Sequence, residues 1–313
     1  MKILISDKMS NKVEDVLKSK QINYDIKTGM SPEELKEVID QYDGILIRSA
    51  TKLTSDILAD CKNLKVIGRA GVGVDNVDLD QATKNKILVM NTPLGNLEAT
   101  AELSVGLMFS LMRNIHLAND STHQGKWEKP KFIGTELKGK TLGIVGYGNI
   151  GQRVAEICST IGMNIITNSK SASDEDLSRF KAKKVSTEQL IKEADIVSIH
   201  TKLNDETKYM FNKETLSTMK PTSVIINCAR GGLINEMDLK DALNNDVIAG
   251  AAIDVYENEP ATDNVMFGAK NLLLTPHLGA SSKEAQSNVA IDVANQVADF
   301  LKDNKIVNNV NSF

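Results

Sequence analysis

Cysteine is scarce in this sequence, charge is nearly balanced and no apolar stretch runs long. Each absence excludes something. The three cysteines, Cys61, Cys158 and Cys228, are an odd number at wide spacings. That fits free thiols in a reducing compartment rather than a disulfide framework. No paired Cys or His spacing suits zinc, so no metal site is expected. A net charge of −4 over 313 residues gives no electrostatic reason for a nucleic-acid or anionic-membrane partner. Any bound anion must be held by a local cluster of donors. No apolar run is long enough to cross a bilayer, and MKILISDKMS reads as a strand and turn rather than a secretory leader. A cytoplasmic protein is expected. Low-complexity segments are absent as well.

What is present is alternation. KILI (2–5), INYDI (22–26), GILI (44–47), LKVIG (64–68) and ILVM (87–90) read as strands, with helix-period segments between them. In SPEELKEVID a serine cap precedes a proline at the first helical position and an acidic first turn. Such alternation indicates parallel βαβ units. Residues 96–118 break the rhythm. Leu103, Leu107, Leu111 and Ile115 recur every fourth residue, with Val105, Met108 and Met112 on a second face. A helix this apolar is buried inside one domain or against a second subunit, and a subunit interface is favoured. A second alternating series follows, with strands expected at 142–146, 163–167, 195–199, 223–227, 248–253 and 271–275. The segment 282–303 is helical in period through Val289, Val293, Val297 and Leu301, and ends in a polar tail.

Within this series LGIVGYGNIG sets Gly146, Gly148 and Gly151 directly after a strand and at the start of a helix. That spacing serves a tight turn, close approach of backbone to a pyrophosphate, and close helix–strand packing. The pyrophosphate of a dinucleotide would sit on exposed amides near Asn149 and Ile150. NAD enzymes usually place an acid about 20 residues further on, against the ribose. Here IITNSKSASD offers Ser169 and Lys170 instead. Serine can bond a ribose hydroxyl but does not repel a 2′-phosphate. Lys170 is either attractive to such a phosphate or simply a solvated loop lysine. NAD is the expected cofactor, with NADP left open.

Three later stretches, NCARGG (227–232), DVYENEP (254–260) and TPHLGAS (275–281), each follow a strand. Residues just past the carboxyl ends of parallel strands line the ligand crevice, so Arg230, Glu259 and His277 are expected to converge. Together they suit reversible oxidation of a 2-hydroxy acid. Arginine grips a carboxylate with a planar fork. Histidine takes the hydroxyl proton as hydride departs, and a carboxylate bonded to that histidine fixes its tautomer. His116 and His123 read as structural.

The chain resembles the D-isomer-specific 2-hydroxyacid dehydrogenases over nearly its whole length. The likeness runs through IRSATKLTSDIL (47–58), VIGRAGVGVDNVDL (66–79), NTPLGN (91–96), GKW (125–127), GTELKGKTLGIVGYGNIG and the three late stretches. It implies an α/β protein of two doubly wound parallel-sheet domains. A Rossmann-type dinucleotide domain (96–282, with the 96–118 helix at a dimer interface) would be inserted into a flavodoxin-like substrate domain (1–95 and 283–313). It implies Arg230, Glu259 and His277 as the catalytic set. Gly71, Val72 and Gly73 would offer amides to the substrate carboxylate. Arg48, Ser49, Lys52 and Arg69 would meet a phosphate at the substrate's far end. Asp254 is expected on the nicotinamide carboxamide, and His200, Thr201, Cys228, Ala229 and Gly279 elsewhere along the cofactor. Trp127 would pack across a homodimer formed through residues 96–139, with a tetramer left open.

Departures from the family pattern are informative. The ribose acid aligns with Ser169, and His200-Thr201-Lys202 stands where a proline commonly follows the threonine. Relatives often carry a C-terminal domain that senses serine, and none is expected here. The implied reaction is oxidation of 3-phosphoglycerate to 3-phosphohydroxypyruvate, the entry step of serine biosynthesis. An NADPH-dependent glyoxylate or hydroxypyruvate reductase is the nearest alternative. A nucleotide-sensing corepressor-type binding protein is a remote one.

Overall fold

Short β-branched and leucine-rich runs form strands because both of their faces are covered, and the intervening amphipathic segments supply the cover. The computed structural model describes residues 1–313. They divide into two units, Met1–Leu97 with Ala280–Phe313, and Glu98–Gly279.

In the first unit β1 (Lys2–Ile5), α1 (Lys12–Ser19), β2 (Asn23–Ile26), α2 (Pro32–Val38), β3 (Gly44–Ile47), α3 (Ser55–Leu58), β4 (Val66–Arg69), α4 (Leu79–Lys84) and β5 (Leu88–Asn91) follow in order. The strands make one parallel sheet, β2-β1-β3-β4-β5, a doubly wound order. α2 starts as its sequence predicts. The Ser31 hydroxyl accepts from the Glu34 amide at 3.2 Å, and the Glu34 carboxylate accepts from the Ser31 amide at 2.8 Å, a closed capping box. The final helix, Lys283–Asp303, lays Val293 and Val297 on the sheet. Gly68 permits this, since a Cβ there would meet Val297 at 2.5 Å and Val293 at 2.7 Å. The polar tail then turns back along β5. The Asn91 amide donates to the Asn308 carbonyl, and the Val310 amide to the Val89 carbonyl. This antiparallel cover closes that edge of the sheet.

The second unit opens with α5 (Leu97–Met112) and α6 (Ile115–His123). Its sheet then builds through β6 (Thr141–Val145), α7 (Asn149–Ile161), β7 (Asn164–Thr167), α8 (Asp174–Arg179), β8 (Lys183–Lys184), α9 (Thr187–Glu193) and β9 (Ile196–Ile199). It continues through α10 (Lys213–Ser217), β10 (Val224–Asn227), α11 (Glu236–Asn244), β11 (Gly250–Ile253) and β12 (Leu272–Leu274). The seven strands are parallel in the order β12-β11-β10-β9-β6-β7-β8. Strand order reverses on either side of β6, and at such a switch point the loops part to leave a crevice.

Two readings of the sequence need correction. Residues 96–118 are not one helix. The segment 133–135 crosses the end of α5, where the Thr135 amide takes the Met112 carbonyl at 2.7 Å. Asn114 then adopts a left-handed conformation, φ +52°, which asparagine tolerates better than most residues. The four-residue repeat hides the break because Ile115 keeps the phase. Strand β4 begins two residues later than the apolar run suggests. Leu64 and Lys65 precede it, the Lys65 amide donating to the Asp43 carbonyl at 2.8 Å.

Candidate active site

The ends of β10, β11 and β12 stand level, because the register pairs Asn227 with Ile253 and Ile253 with Leu274. The three loops that follow therefore start from one line. Buried Asn227 folds the first of them. Its Oδ1 accepts from the Ala229 amide at 3.0 Å and its Nδ2 donates to the Arg230 carbonyl at 2.8 Å. Arg230 Nη1 donates to the Ala229 carbonyl at 2.6 Å. The second loop presses on the first at Gly231, where a Cβ would lie 1.9 Å from the Tyr256 carbonyl oxygen. No side chain fits there.

Glu259 and His277 meet across the second and third loops. His277 Nδ1 and Glu259 Oε2 are 2.6 Å apart, and Oε1 accepts from the Tyr256 amide at 3.0 Å. Partial burial alone would push the Glu259 carboxyl up. The hydrogen bonds from His277 and Tyr256, with the charges of His277 and Arg230, outweigh it and hold the pKa below the usual carboxylate range. The predicted trio is thus brought together, two members by direct contact and Arg230 through its field. The His277 ring keeps half its surface open to solvent, as an acid–base group needs. Its backbone is in the left-handed region, φ +54°.

Asp254 anchors the third loop. It is wholly buried, with Oδ1 accepting from Thr275 Oγ1 at 2.6 Å and from the Leu278 amide at 2.7 Å, and Oδ2 from the Gly279 amide at 2.8 Å. The Gly279 carbonyl accepts from Thr100 Oγ1 at 2.9 Å. Asp254 and Gly279 therefore engage each other rather than facing outward. The Cys228 thiol lies in the core, its pKa pushed up to about 12 by burial. It leaves only backbone for a cofactor.

The glycine-rich turn has the shape of a pyrophosphate cradle. Gly146 has φ +91°, and a Cβ there would lie 2.7 Å from the His200 carbonyl group. A Cβ on Gly151 would lie 2.2 Å from the Gly146 carbonyl oxygen. Gly148 caps α7 without a side-chain hydrogen bond and has open space where its Cβ would be. The first amides of α7, Asn149 and Ile150 among them, are thus presented at an uncapped helix start, which favours an anion. The residues fit a dinucleotide. Beside the turn, His200 Nε2 pairs with Ser198 Oγ at 2.8 Å. Crowding around the ring outweighs the part that water still reaches and pushes its pKa down to about 4. The ring is neutral at pH 7, and Thr201 follows it at the crevice side of β9.

At the end of β7 buried Thr167 donates to the Ile144 carbonyl, and the loop turns out. Ser169 Oγ lies 3.4 Å from Ser171 Oγ, Lys170 is exposed, and Lys184 Nζ folds back to the Lys170 carbonyl at 3.1 Å. Lys184 escaped the sequence reading because β8 is too short to show a period.

In the first unit the ends of β3, β4 and β5 are level too, Ile47 pairing with Arg69 and Arg69 with Asn91. Buried Asp7 organises the loop after β3, accepting from the Arg48 and Thr51 amides and the Thr51 hydroxyl. Ser49 and Lys52 are exposed. Arg69 covers Gly71, where a Cβ would lie 1.6 Å from its Nη1 and φ is +138°. The Gly71 amide, expected to serve a substrate, instead donates to Thr92 Oγ1 at 2.7 Å. That leaves Val72 and Gly73 for the role. Asp7 and Thr92 carry no signal in sequence that marks them.

Comparison with known proteins adds context. The family description "D-isomer specific 2-hydroxyacid dehydrogenase, NAD binding domain" matches residues 105–279. A D-3-phosphoglycerate dehydrogenase of Synechocystis is 44% identical over 96% of this chain and 54% of its own length. One of Bacillus subtilis is 42% identical over 99% and 59%. The chain thus spans a little over half the length of these relatives. A solved NAD⁺-bound 3-phosphoglycerate dehydrogenase of Entamoeba histolytica has a TM-score of 0.84 and 28% identity, covering 100% of this chain and 99% of that one. No helix is long and apolar enough to cross a membrane.

Proposed function

Because this chain belongs to the D-isomer specific 2-hydroxyacid dehydrogenase family, we propose that it oxidises D-3-phosphoglycerate to 3-phosphohydroxypyruvate, the first step of L-serine synthesis. The observation that carries the reading is the 2.6 Å His277–Glu259 pair, in a chain so similar to two proteins named for that activity. An ionised carboxylate only accepts hydrogen bonds, so His277 Nδ1 carries a proton and Nε2 presents its lone pair. Nε2 takes the proton of the substrate's 2-hydroxyl and returns it in the reverse direction. Arg230 grips the carboxylate and polarises the neighbouring carbonyl. Nicotinamide, when bound, supplies the hydride acceptor. The amides at Asn149 and Ile150 hold the pyrophosphate.

We assign the first unit to the substrate, with Val72 and Gly73 serving its carboxylate and Arg48, Ser49, Lys52 and Arg69 its phosphate. The second unit binds the dinucleotide. NAD is the proposed cofactor. The β7 loop favours a second reading, because Ser169, Lys170 and Lys184 include no carboxylate to repel a 2′-phosphate. That reading is an NADPH-dependent glyoxylate or hydroxypyruvate reductase. The enzyme is proposed to be a cytoplasmic homodimer, supported by Ile115, Trp127 and Ile133, which are exposed apolar side chains on one segment.

Initial rates with 3-phosphoglycerate and either NAD⁺ or NADP⁺, against glyoxylate with either reduced cofactor, test the reading. A dominant rate with the phosphorylated acid and NAD⁺ is expected. Turnover confined to NADPH and glyoxylate would replace the first reading by the second.

A further inference from the structure

The loop that delivers Glu259 is tied down at both ends by the start of α11. Glu236, the first residue of that helix, follows the Arg230 loop in the chain. Its Oε1 accepts from the Glu257 amide at 2.9 Å, and its Oε2 accepts from Asn264 Nδ2 at 2.8 Å. One carboxylate thus spans the loop from before Glu259 to well after it. One turn along the same helix face, Lys240 Nζ donates to the Val265 carbonyl at 2.7 Å. Asn264 Oδ1 in turn accepts from the Met266 amide at 2.9 Å, and the Met266 side chain is buried in the core. The peptide between Tyr256 and Glu257 is therefore set from both sides. Its N–H goes to Glu236, and its carbonyl oxygen faces Gly231, where a Cβ would lie 1.9 Å away. Glu259 reaches back to the Tyr256 amide at 3.0 Å with one oxygen and meets His277 with the other. A rotation of this stretch moves the carboxylate that holds the histidine.

We propose that Glu236 is a positioning residue for the reaction. Its carboxylate fixes the 256–264 loop, and so sets Glu259 against His277, without touching substrate or cofactor. The proposal rests on the reading of Glu259 and His277 as the pair that carries the proton. The clamp needs an acceptor at each end. Glutamine keeps one oxygen for the Glu257 amide but turns an NH₂ toward the NH₂ of Asn264, donor against donor. N264D alone sets carboxylate against carboxylate. In E236Q/N264D the roles are exchanged. The new amide donates to the new carboxylate, whose second oxygen still accepts from the Met266 amide. Shape and net charge are then both kept.

The experiment compares E236Q, N264D, the double variant and K240M with the unsubstituted protein, using steady-state kinetics, cofactor fluorescence for Kd, and ¹⁵N spectra of the histidine rings. The chain has four histidines, and the His277 signals are assigned by their loss in H277N. In each of E236Q and N264D we expect kcat to fall about tenfold, part of the roughly hundredfold or more that a positioned general base contributes. KM and cofactor Kd should stay within about threefold, and the His277 signature of an Nδ1–H bonded to a carboxylate should weaken. In E236Q/N264D both kcat and that signature should return to within about twofold of the unsubstituted protein, a strong coupling between the two sites. Single variants that melt earlier but keep kcat and the signature would show a purely structural role and overturn the proposal. A kcat that stays low in the double variant, or falls while the signature is intact, would overturn it as well. If neither single variant folds, K240M, which frees the far end of the loop, decides on the same readouts. If the unsubstituted protein does not turn over 3-phosphoglycerate, that reading of the substrate fails while the His277 spectra still decide this one.

Discussion

Replacing Glu259 by glutamine keeps the shape of the His277 partner and removes its charge. The bond at stake is short, 2.6 Å, and charge-assisted. Such bonds contribute about 1.5–3 kcal/mol, against about 0.5–1.5 for a neutral one. Both side chains are a third to a half exposed, and solvent screening holds the difference to the low end, about 1 kcal/mol. If that stabilisation belongs to the imidazolium formed as His277 takes the proton, kcat/KM falls about fivefold. The pH dependence carries the sign. The Glu259 pKa is depressed, so its contribution is complete above the ordinary carboxylate value and is lost only as pH falls through the depressed one. From about pH 6 upward Glu259 itself therefore stays ionised, and the loss in E259Q is read there. Steady-state rates across that range measure it. A variant within twofold of the native protein would refute the argument.

Three further outcomes are expected. His200 is held neutral with a pKa of about 4, whereas the unfolded chain takes up that proton near 6.5, so folding stability should decline as pH drops from about 6.5 to 4; denaturant titrations of H200Q should lack that part of the slope. G231A forces a Cβ into the Tyr256 carbonyl and should cost about 1–3 kcal/mol in unfolding experiments while parting the loops that carry Arg230 and Glu259 and lowering turnover. W127A combined with I133K removes the exposed apolar pair of the proposed interface, and sedimentation should show a shift from dimer to monomer; an unchanged dimer would move the interface elsewhere.

What the sequence discloses depends on how local the signal is. The Ser31 capping box and the glycine turn before α7 are written in neighbouring residues, and each is found where its pattern puts it; the expected strands are found within two residues of theirs. The convergence of Arg230, Glu259 and His277 follows from strand ends alone, since register makes those ends level. The break at Asn114 does not, because its cause is a segment some twenty residues further on that claims the Met112 carbonyl. Asp7 and Thr92 are invisible for the same reason. Each acts through hydrogen bonds to loops forty and twenty residues away. Lys184 sits in a strand of two residues, where no periodicity exists to read.

The final helix has a consequence for how the protein is made. Its valines complete a hydrophobic layer with Leu46, Val66, Leu88 and Met90, residues that leave the ribosome about two hundred to two hundred and fifty positions earlier. Until Lys283–Asp303 emerges, one face of the first sheet is covered only by α1. The second unit, contiguous from Glu98 to Gly279, can finish while the first still waits. Synthesis thus runs from an unfinished domain through a finished one and back, so the nascent chain exposes apolar strands for most of its translation.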